Sequence, residues 1–135
     1  MALTYLLDTD ICIEALRRRS QPLLQRLRAQ SPLDVAVSVV TEAELRFGAL
    51  NSASVARNEA AVEAFLYPFT ILPFGRDSVS TYARLRLRLE RGGARIGALD
   101  QLIAAQAVSQ RLIVVTNNLR EFRRVPGLRV ENWLG

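Results

Sequence analysis

The sequence contains no histidine, no lysine and only one cysteine, Cys12, among its 135 residues. The absence of histidine removes the commonest general base and the commonest metal ligand, so any catalysis must depend on carboxylates, hydroxyls, arginine or a bound metal. A single cysteine excludes an internal disulfide, which is typical of a protein from a reducing compartment.

Long apolar segments are missing too, since no run approaches the ~20 residues that a membrane-spanning helix needs. Asp8 and Asp10 interrupt the apolar N-terminal stretch, and no basic segment precedes it, so the pattern of a secretory signal is also lacking. We therefore expect a cytoplasmic protein without a membrane anchor.

The charged residues are divided unevenly between 18 arginines and 13 acids, which gives a net charge of +5. An arginine-rich surface attracts phosphates, and each guanidinium can bind a phosphate through two hydrogen bonds at once. The length is that of one domain, and a composition that is 50% hydrophobic can fill a core. We expect a single domain over residues 1–135.

Short β-rich runs alternate with stretches of helix formers along the whole chain. The alternating segment 83–90 has the period of a strand, but its Ala, Leu, Arg and Glu residues favour a helix, which we predict there. Strands separated by helices predict a three-layer α/β/α fold with a mostly parallel sheet. We predict strands at 3–7, 35–39, 69–72, 112–115 and 128–130, and further helices at 11–18, 21–30, 41–50, 55–66, 99–110 and 119–123.

Two aspartates follow the first predicted strand directly. Asp8 ends the strand itself, and in open α/β sheets ligands collect beyond the carboxyl ends of the strands. Asp10 has an ordinary alternative role, since either Thr9 or Asp10 could cap the helix that follows. Asp100 begins a row of apolar residues on its own helix and so stands at the mouth of a buried face, although a first-turn aspartate also complements the helix dipole.

Glu42 and Glu44 lie two residues apart on a predicted helix and therefore point in nearly opposite directions. Glu42 has Arg46 four residues later, the spacing of an ordinary surface ion pair. Glu44 is either an inward-facing acid that needs a partner or an edge residue that reaches water. The first interpretation rests on its sharing a helical row with Val40, Phe47 and Gly48.

Polar residues also follow the predicted strand 112–115. Thr116 and Asn118 emerge at its carboxyl end, and Glu121 lies one helical turn further on, although turn asparagines often serve the turn alone. Asp8, Glu44 and Asp100, with Asn118 or Glu121 as a fourth member, would form a set of oxygen ligands, which selects Mg²⁺ or Mn²⁺ over Zn²⁺. Such a cluster on a basic protein predicts phosphodiester hydrolysis.

Four segments resemble, in order and spacing, the four motifs of PIN-domain ribonucleases and more closely the VapC toxins of bacterial toxin–antitoxin modules. The segments are LLDTDI at 6–11, TEAELRFGA at 41–49, IGALDQLIAA at 96–105 and VTNNLREF at 115–122. The resemblance implies the PIN-like fold for nearly the whole chain.

By this resemblance Asp8, Glu44 and Asp100 match the metal-binding acids of the family. Asn118 stands where an aspartate is frequent, so either its amide oxygen or the carboxylate of Glu121 completes the site. The resemblance also implies orienting roles for two neighbours, namely Asp10 and Thr116.

The family resemblance implies a Mg²⁺-dependent endoribonuclease, with tRNA as the expected substrate. It further implies a small VapB-like antitoxin that covers the site, and a homodimer. Arg46, Arg95 and Arg120 lie closest in sequence to the motifs and are the predicted RNA contacts. Two alternatives remain from the residues alone: a non-catalytic module that binds nucleic acid or protein, and a metal-dependent enzyme that acts on DNA or another phosphate ester.

Overall fold

The computed structural model describes residues 3–135, and Met1 and Ala2 of the predicted domain lie outside the described residues. Its centre is a five-stranded sheet with the strand order β3-β2-β1-β4-β5. All four neighbouring strand pairs are parallel. The predicted α/β class with a parallel sheet is therefore confirmed.

The strands are short and the helices carry most of the chain. The strands are β1 (Tyr5–Leu7), β2 (Val35–Ser38), β3 (Thr70–Leu72), β4 (Ile113–Val115) and β5 (Val130–Glu131), and a 3-10 turn (Pro32–Asp34) precedes β2. The helices are α1 (Thr9–Arg17), α2 (Gln21–Ala29), α3 (Val39–Leu50), α4 (Val55–Leu66), α5 (Arg76–Arg91), α6 (Ala98–Gln110) and α7 (Leu119–Phe122). In residues 3–135 no helix is long and apolar enough to cross a membrane.

Alternate residues of the central strands belong to different cores, because successive side chains of a strand point to opposite faces of the sheet. Leu6 and Val114 pack with α5, α6 and α7, whereas Leu7 and Val115 pack with α1, α2 and α4. Each core lies between the sheet and one layer of helices, so the fold is a helix–sheet–helix sandwich. Burial of the central strands on both faces explains their continuous apolar sequence.

The alternating segment 83–90 lies inside α5, as its residue types predicted. Leu85 and Leu89, four residues apart, are buried against α6, while the intervening Arg86 and Leu87 are exposed. In a strand, Leu85, Leu87 and Leu89 would all point to the same face. In the helix, Leu85 and Leu89 are buried and Leu87 is exposed. The last strand lies slightly later in the chain than the predicted 128–130.

The prediction that Thr9 or Asp10 caps the first helix is wrong. The N-cap is Asp8, whose carboxylate accepts the N–H of Ile11 at 2.9 Å. Because β1 ends at Leu7, the chain passes from strand to helix through a single residue. Asp10 consequently lies in the first turn of α1, where its side chain is exposed.

The predicted inward row of α3 is also wrong. The buried row is formed by Thr41, Leu45 and Ala49, whereas Phe47 is 66% exposed. The direct passage from β2 into α3 at Ser38 sets the helix phase, and the sequence is apolar on both of the competing rows. Glu44, which precedes Leu45, therefore lies half-buried at the edge of the packed face.

Candidate active site

The carboxyl ends of β1, β2 and β4 meet at one edge of the sheet, because Leu7 pairs with both Val37 and Val115. Asp8 follows β1 and Thr116 follows β4, so the two side chains emerge next to each other. The Thr116 hydroxyl hydrogen-bonds to the carboxylate of Asp8 and accepts the N–H of Asn118 at 2.8 Å. Thr116 thus fixes both the acid and the turn that follows β4.

Asp8 is 2% exposed, although it is an acid at the end of a strand. Burial raises its pKa from an ordinary 3.8 to about 7, because water no longer solvates the charged form. The hydrogen bonds from Thr116 and Ile11 lower the pKa, and the charges of Asp10 and Glu121 raise it further. This carboxylate is therefore expensive to ionise in the absence of a cation.

Asp100, in the first turn of α6, reaches the same place. Its pKa is also raised to about 7, first by burial and then by the nearby carboxylate of Glu121, with smaller effects from Asp8 and Asp10. Three residues of its predicted apolar row, Ile103, Ala104 and Ala107, are fully buried, whereas the fourth, Val108, is 36% exposed, so the row is buried only as far as Ala107. The mutual influence of these acids places them in one electrostatic cluster.

Glu121 is held by two donors. One carboxylate oxygen accepts the backbone N–H of Gly97 at 2.7 Å, and the other accepts the side-chain amide of Asn118 at 2.7 Å. The amide oxygen of Asn118 caps α7 by accepting the N–H of Glu121, at 3.4 Å. These contacts tie the turn after β4 to the loop that precedes α6, and therefore to Asp100.

Gly97, in the loop before α6, lies close to the carboxylates of both Asp100 and Glu121. A Cβ placed on Gly97 would lie 3.5 Å from Oδ2 of Asp100 and 3.5 Å from Oε1 of Glu121. These are ordinary van der Waals distances, and they show that the two carboxylates lie beside the same backbone position.

Glu44 is oriented by two threonines. The Thr9 hydroxyl lies 2.6 Å from Oε1 of Glu44 and 3.0 Å from the Thr41 hydroxyl. A hydroxyl has one hydrogen, so when Thr9 donates to the carboxylate it must accept from Thr41. The chain of hydrogen bonds runs from buried Thr41 through Thr9 to Glu44.

If Glu44 binds a metal for RNA cleavage, as the family resemblance implies, Thr9→Val should reduce both the cleavage and the affinity for Mn²⁺ by about 10- to 100-fold, the usual effect of removing a group that orients a metal-binding carboxylate. The substitution keeps the side-chain volume but deletes the donor to Glu44. Mn²⁺ binding measured by titration calorimetry, alongside cleavage rates, tests this. Thr9→Ser retains the hydroxyl and is the matched control. Equal Mn²⁺ affinity in Thr9→Val and wild type would refute the orienting role.

Sequence reasoning missed the contribution of Thr9, Thr41 and Gly97. The available signal was a polar residue in an apolar helical row, since Thr41 shares the spacing of Leu45 and Ala49. The sequence prediction placed the row of Glu44 against the core, and the buried position of Thr41 was therefore not recognised. The Glu121 contact to Gly97 had no sequence signal, because 24 residues separate the two groups.

The predicted arginine contacts differ in their surroundings. Arg46 is paired with Glu42 at 2.8 Å and Glu63 at 2.9 Å, so the predicted surface pair is present and engages this guanidinium. Arg95 is exposed and 3.8 Å from Glu90, and Arg120 is exposed on α7. In residues 3–135 no arginine forms an ion pair with an acid of the cluster.

The donor set of this edge suits a hard cation. It offers carboxylate, hydroxyl and amide oxygens, and the nearby Cys12 remains a neutral thiol because burial raises its pKa well above the ordinary value. As the side chains stand, no three acids in the described chain converge closely enough to ligate one ion. The charges of Asp10 and Glu121 act on both Asp8 and Asp100, whereas Glu44 is not among the groups that shift either pKa, so the fit to Mg²⁺ rests on Asp8 and Asp100 with Glu121 beside them.

Comparison with known proteins gives a uniform result over nearly the full chain. The model of the PIN domain family matches residues 5–128. The tRNA(fMet)-specific endonuclease VapC of Salmonella typhimurium is 37% identical over 131 residues, covering 97% of this chain and 98% of that protein. Ribonuclease VapC2 of Haemophilus influenzae is 42% identical over 132 residues, covering 98% and 99% respectively. A chain in the crystal structure of DNA-bound VapBC from Salmonella typhimurium matches with a TM-score of 0.93 and 37% identity, covering 97% of this chain and 98% of that one.

Proposed function

Since this chain belongs to the PIN-domain family and is a VapC ribonuclease toxin, we propose that it cleaves tRNA at the Asp8–Asp100 edge with a divalent cation. The observation that carries the proposal is the pair of acids with raised pKa values of about 7, which within residues 3–135 form no ion pair with an arginine. Two such carboxylates are costly as a structural feature. A bound cation would remove the cost.

Different residues at this edge would bind the cation directly and through a water molecule. Asp8 and Asp100 are the candidate direct ligands, and Glu44 is the third acid, held by Thr9 for contact through water or after a change of rotamer. Mg²⁺ commonly keeps several of its waters, which suits carboxylates that do not all converge. Asn118 and Glu121 complete the predicted set by fixing the loop before α6.

When bound, a divalent cation at this edge supplies charge neutralisation at the scissile phosphate and lowers the pKa of a coordinated water. Glu44 or Asp100 is then positioned to accept the proton that this water loses. Asp10 adds negative charge beside Asp8, and Thr116 keeps the Asp8 carboxylate in place.

The proposed substrate and antitoxin follow from the relatives. The Salmonella relative is named for cleavage of tRNA(fMet), and relatives occur in VapBC complexes. A groove of about 370 Å³ beside Glu44, between α1, α3 and α4, offers apolar walls for the tail of a VapB-like antitoxin. Since tRNA is the substrate, we place the protein in the cytoplasm.

A homodimer is part of the proposal, and light scattering on the purified chain, alone and with its antitoxin, tests it. Exposed apolar side chains suited to self-association lie on α3, where Phe47 is 66% and Leu50 is 59% exposed. A monomeric mass in both samples would contradict the dimer.

The purified chain is expected to cut tRNA with Mg²⁺ or Mn²⁺ and to be inactive in EDTA. It should leave double-stranded DNA and a small phosphomonoester intact under the same conditions. Incubation of each substrate with the metal and with EDTA, followed by gel analysis or phosphate release, checks this. Cleavage of DNA or of the monoester with no cleavage of RNA would refute the ribonuclease assignment.

A further inference from the structure

The outer face of α5 carries three arginines at helical spacing, Arg84, Arg88 and Arg91, which we call the arginine row. All three side chains are exposed. In residues 3–135 no carboxylate lies within ion-pair distance of any of them. Like charges four residues apart repel each other on a helix, and only the helix dipole at the last turn, where Arg88 and Arg91 lie, acts against this repulsion.

The row differs from its immediate neighbours. Arg86, on another side of α5, is 2.8 Å from Glu90, and Arg95 reaches the same glutamate at 3.8 Å. Glu90, the acid of α5 that lies among these arginines, is therefore engaged by Arg86 and Arg95 and not by the row. Two arginines of the row, Arg84 and Arg88, instead line a groove of about 240 Å³, whose other wall includes Pro126.

The row leads toward the candidate active site. Asp77 in the first turn of α5 contacts Ser109 and Gln110 at the end of α6, so the two helices run antiparallel. The carboxyl end of α5, with Arg91, consequently lies at the end of α6 that carries Asp100. An RNA strand that starts at the groove beside Val108 and follows the row to Arg91 would run toward the Asp100 end of α6.

Further positive charge surrounds this path. Arg124, which follows α7, donates to the carbonyl oxygen of Arg95 at 2.6 Å and joins the α7 segment to the loop after α5. Residues 84–129 contain ten arginines but only three acids, and two of these acids belong to the candidate site. These three acids are Glu90, Asp100 and Glu121.

We propose that the arginine row and its groove bind the phosphate backbone of the RNA substrate outside the cleavage site. The inference rests on the proposed function, because the row ends at the proposed catalytic edge. A guanidinium binds a phosphate through two parallel hydrogen bonds, and the absence of base-sized aromatic residues along the row favours contact with the backbone over contact with bases. A substrate long enough to reach both places gains affinity that a short RNA does not.

The double variant R84Q/R88Q tests this proposal against R28Q/R57Q, which removes the same charge from α2 and α4 on the opposite layer. Fluorescence anisotropy in EDTA measures binding of labelled tRNA without cleavage. We expect R84Q/R88Q to raise the Kd for tRNA by on the order of tenfold to 100-fold and to reduce the slope of log K against log salt by about two. The control variant should keep the wild-type values.

Cleavage assays complete the test. R84Q/R88Q should raise the KM for tRNA, while its kcat and its cleavage of a short single-stranded RNA stay at the wild-type level. If wild type cuts tRNA and R84Q/R88Q binds and cuts it as R28Q/R57Q does, the arginine row is refuted and the proposed function stands. If wild type cuts no RNA with Mg²⁺ or Mn²⁺, the proposed function fails and the row loses its ligand.

Discussion

Asp8→Asn should reduce the rate of RNA cleavage by on the order of a thousandfold or more, since a lost metal ligand removes several kcal/mol of charge stabilisation. The same variant should fold normally. Asparagine is as good an N-cap as aspartate and can still accept the Ile11 N–H and the Thr116 hydroxyl. The expected result is an inactive enzyme with an intact helix α1.

The separation of activity from stability is what distinguishes a ligand from a structural acid. Cleavage rates and urea unfolding of Asp8→Asn, Asp100→Asn and a surface control, Asp34→Asn, measure it. The two site variants should be inactive but at least as stable as wild type at pH 8, whereas Asp34→Asn should match wild type in both. An Asp8→Asn variant that unfolds readily, or that still cuts RNA, would contradict the assignment.

The stability of the metal-free protein should fall as the pH rises from about 4 to above 7. Asp8 and Asp100 have folded-state pKa values of about 7, against an ordinary 3.8. A raised carboxyl pKa means that the folded state binds the proton more tightly than the unfolded chain does. The stabilisation is therefore fully present below pH 3.8 and is lost as the pH passes through 7.

The loss at Asp8 is on the order of 4 kcal/mol, because its folded-state pKa lies roughly three pKa units above the ordinary value and each pKa unit corresponds to about 1.4 kcal/mol. Asp100 contributes less, since solvent reaches it. Mn²⁺ should offset much of the loss at pH 8, where the carboxylates are ionised, since a concentration of 100 Kd adds about 2.7 kcal/mol. Mn²⁺ should do little at pH 5, where protons compete for the same oxygens.

Urea midpoints at pH 5 and pH 8, in EDTA and with Mn²⁺, check this pattern. Asp8→Asn is the internal reference, because it lacks the titrating group and should lose much of the pH dependence. The opposing contribution of Glu90, whose pKa the neighbouring Arg86 lowers, is present in both proteins and cancels in the comparison. Identical pH profiles for the two proteins would show that Asp8 is not the source.

Much of the fold could be predicted from the sequence, because the local preferences of these segments agree with the structure that they adopt. Helix α4 occupies Val55–Leu66, the range that its composition predicted, and α5 forms despite an alternating pattern. In α5 the choice depended on residue type, because Leu, Arg and Glu lose little rotamer freedom in a helix. Such elements are readable from sequence because propensity and burial agree.

The orientation of the site residues was harder to predict from the sequence. Sequence located Asp8 from its position after β1, but it assigned the helix cap to a neighbour, because the length of the strand-to-helix transition was unknown. For Glu44 two apolar rows of α3 competed, and the entry from β2 decided between them. The hydrogen bonds of Glu121 to Gly97 and of Glu44 to Thr9 join segments far apart in the chain, which no local pattern encodes.

Cleavage of tRNA at pH 8 as Mn²⁺ is added to metal-free protein tests the central claim most directly. The wild type should be inactive in EDTA and reach a maximum rate as the metal saturates the site. Asp8→Asn should remain inactive at metal concentrations that saturate wild type. A wild type that cleaves equally well in EDTA, or an Asp8→Asn variant with the wild-type metal dependence, would contradict the claim that these carboxylates hold the catalytic cation.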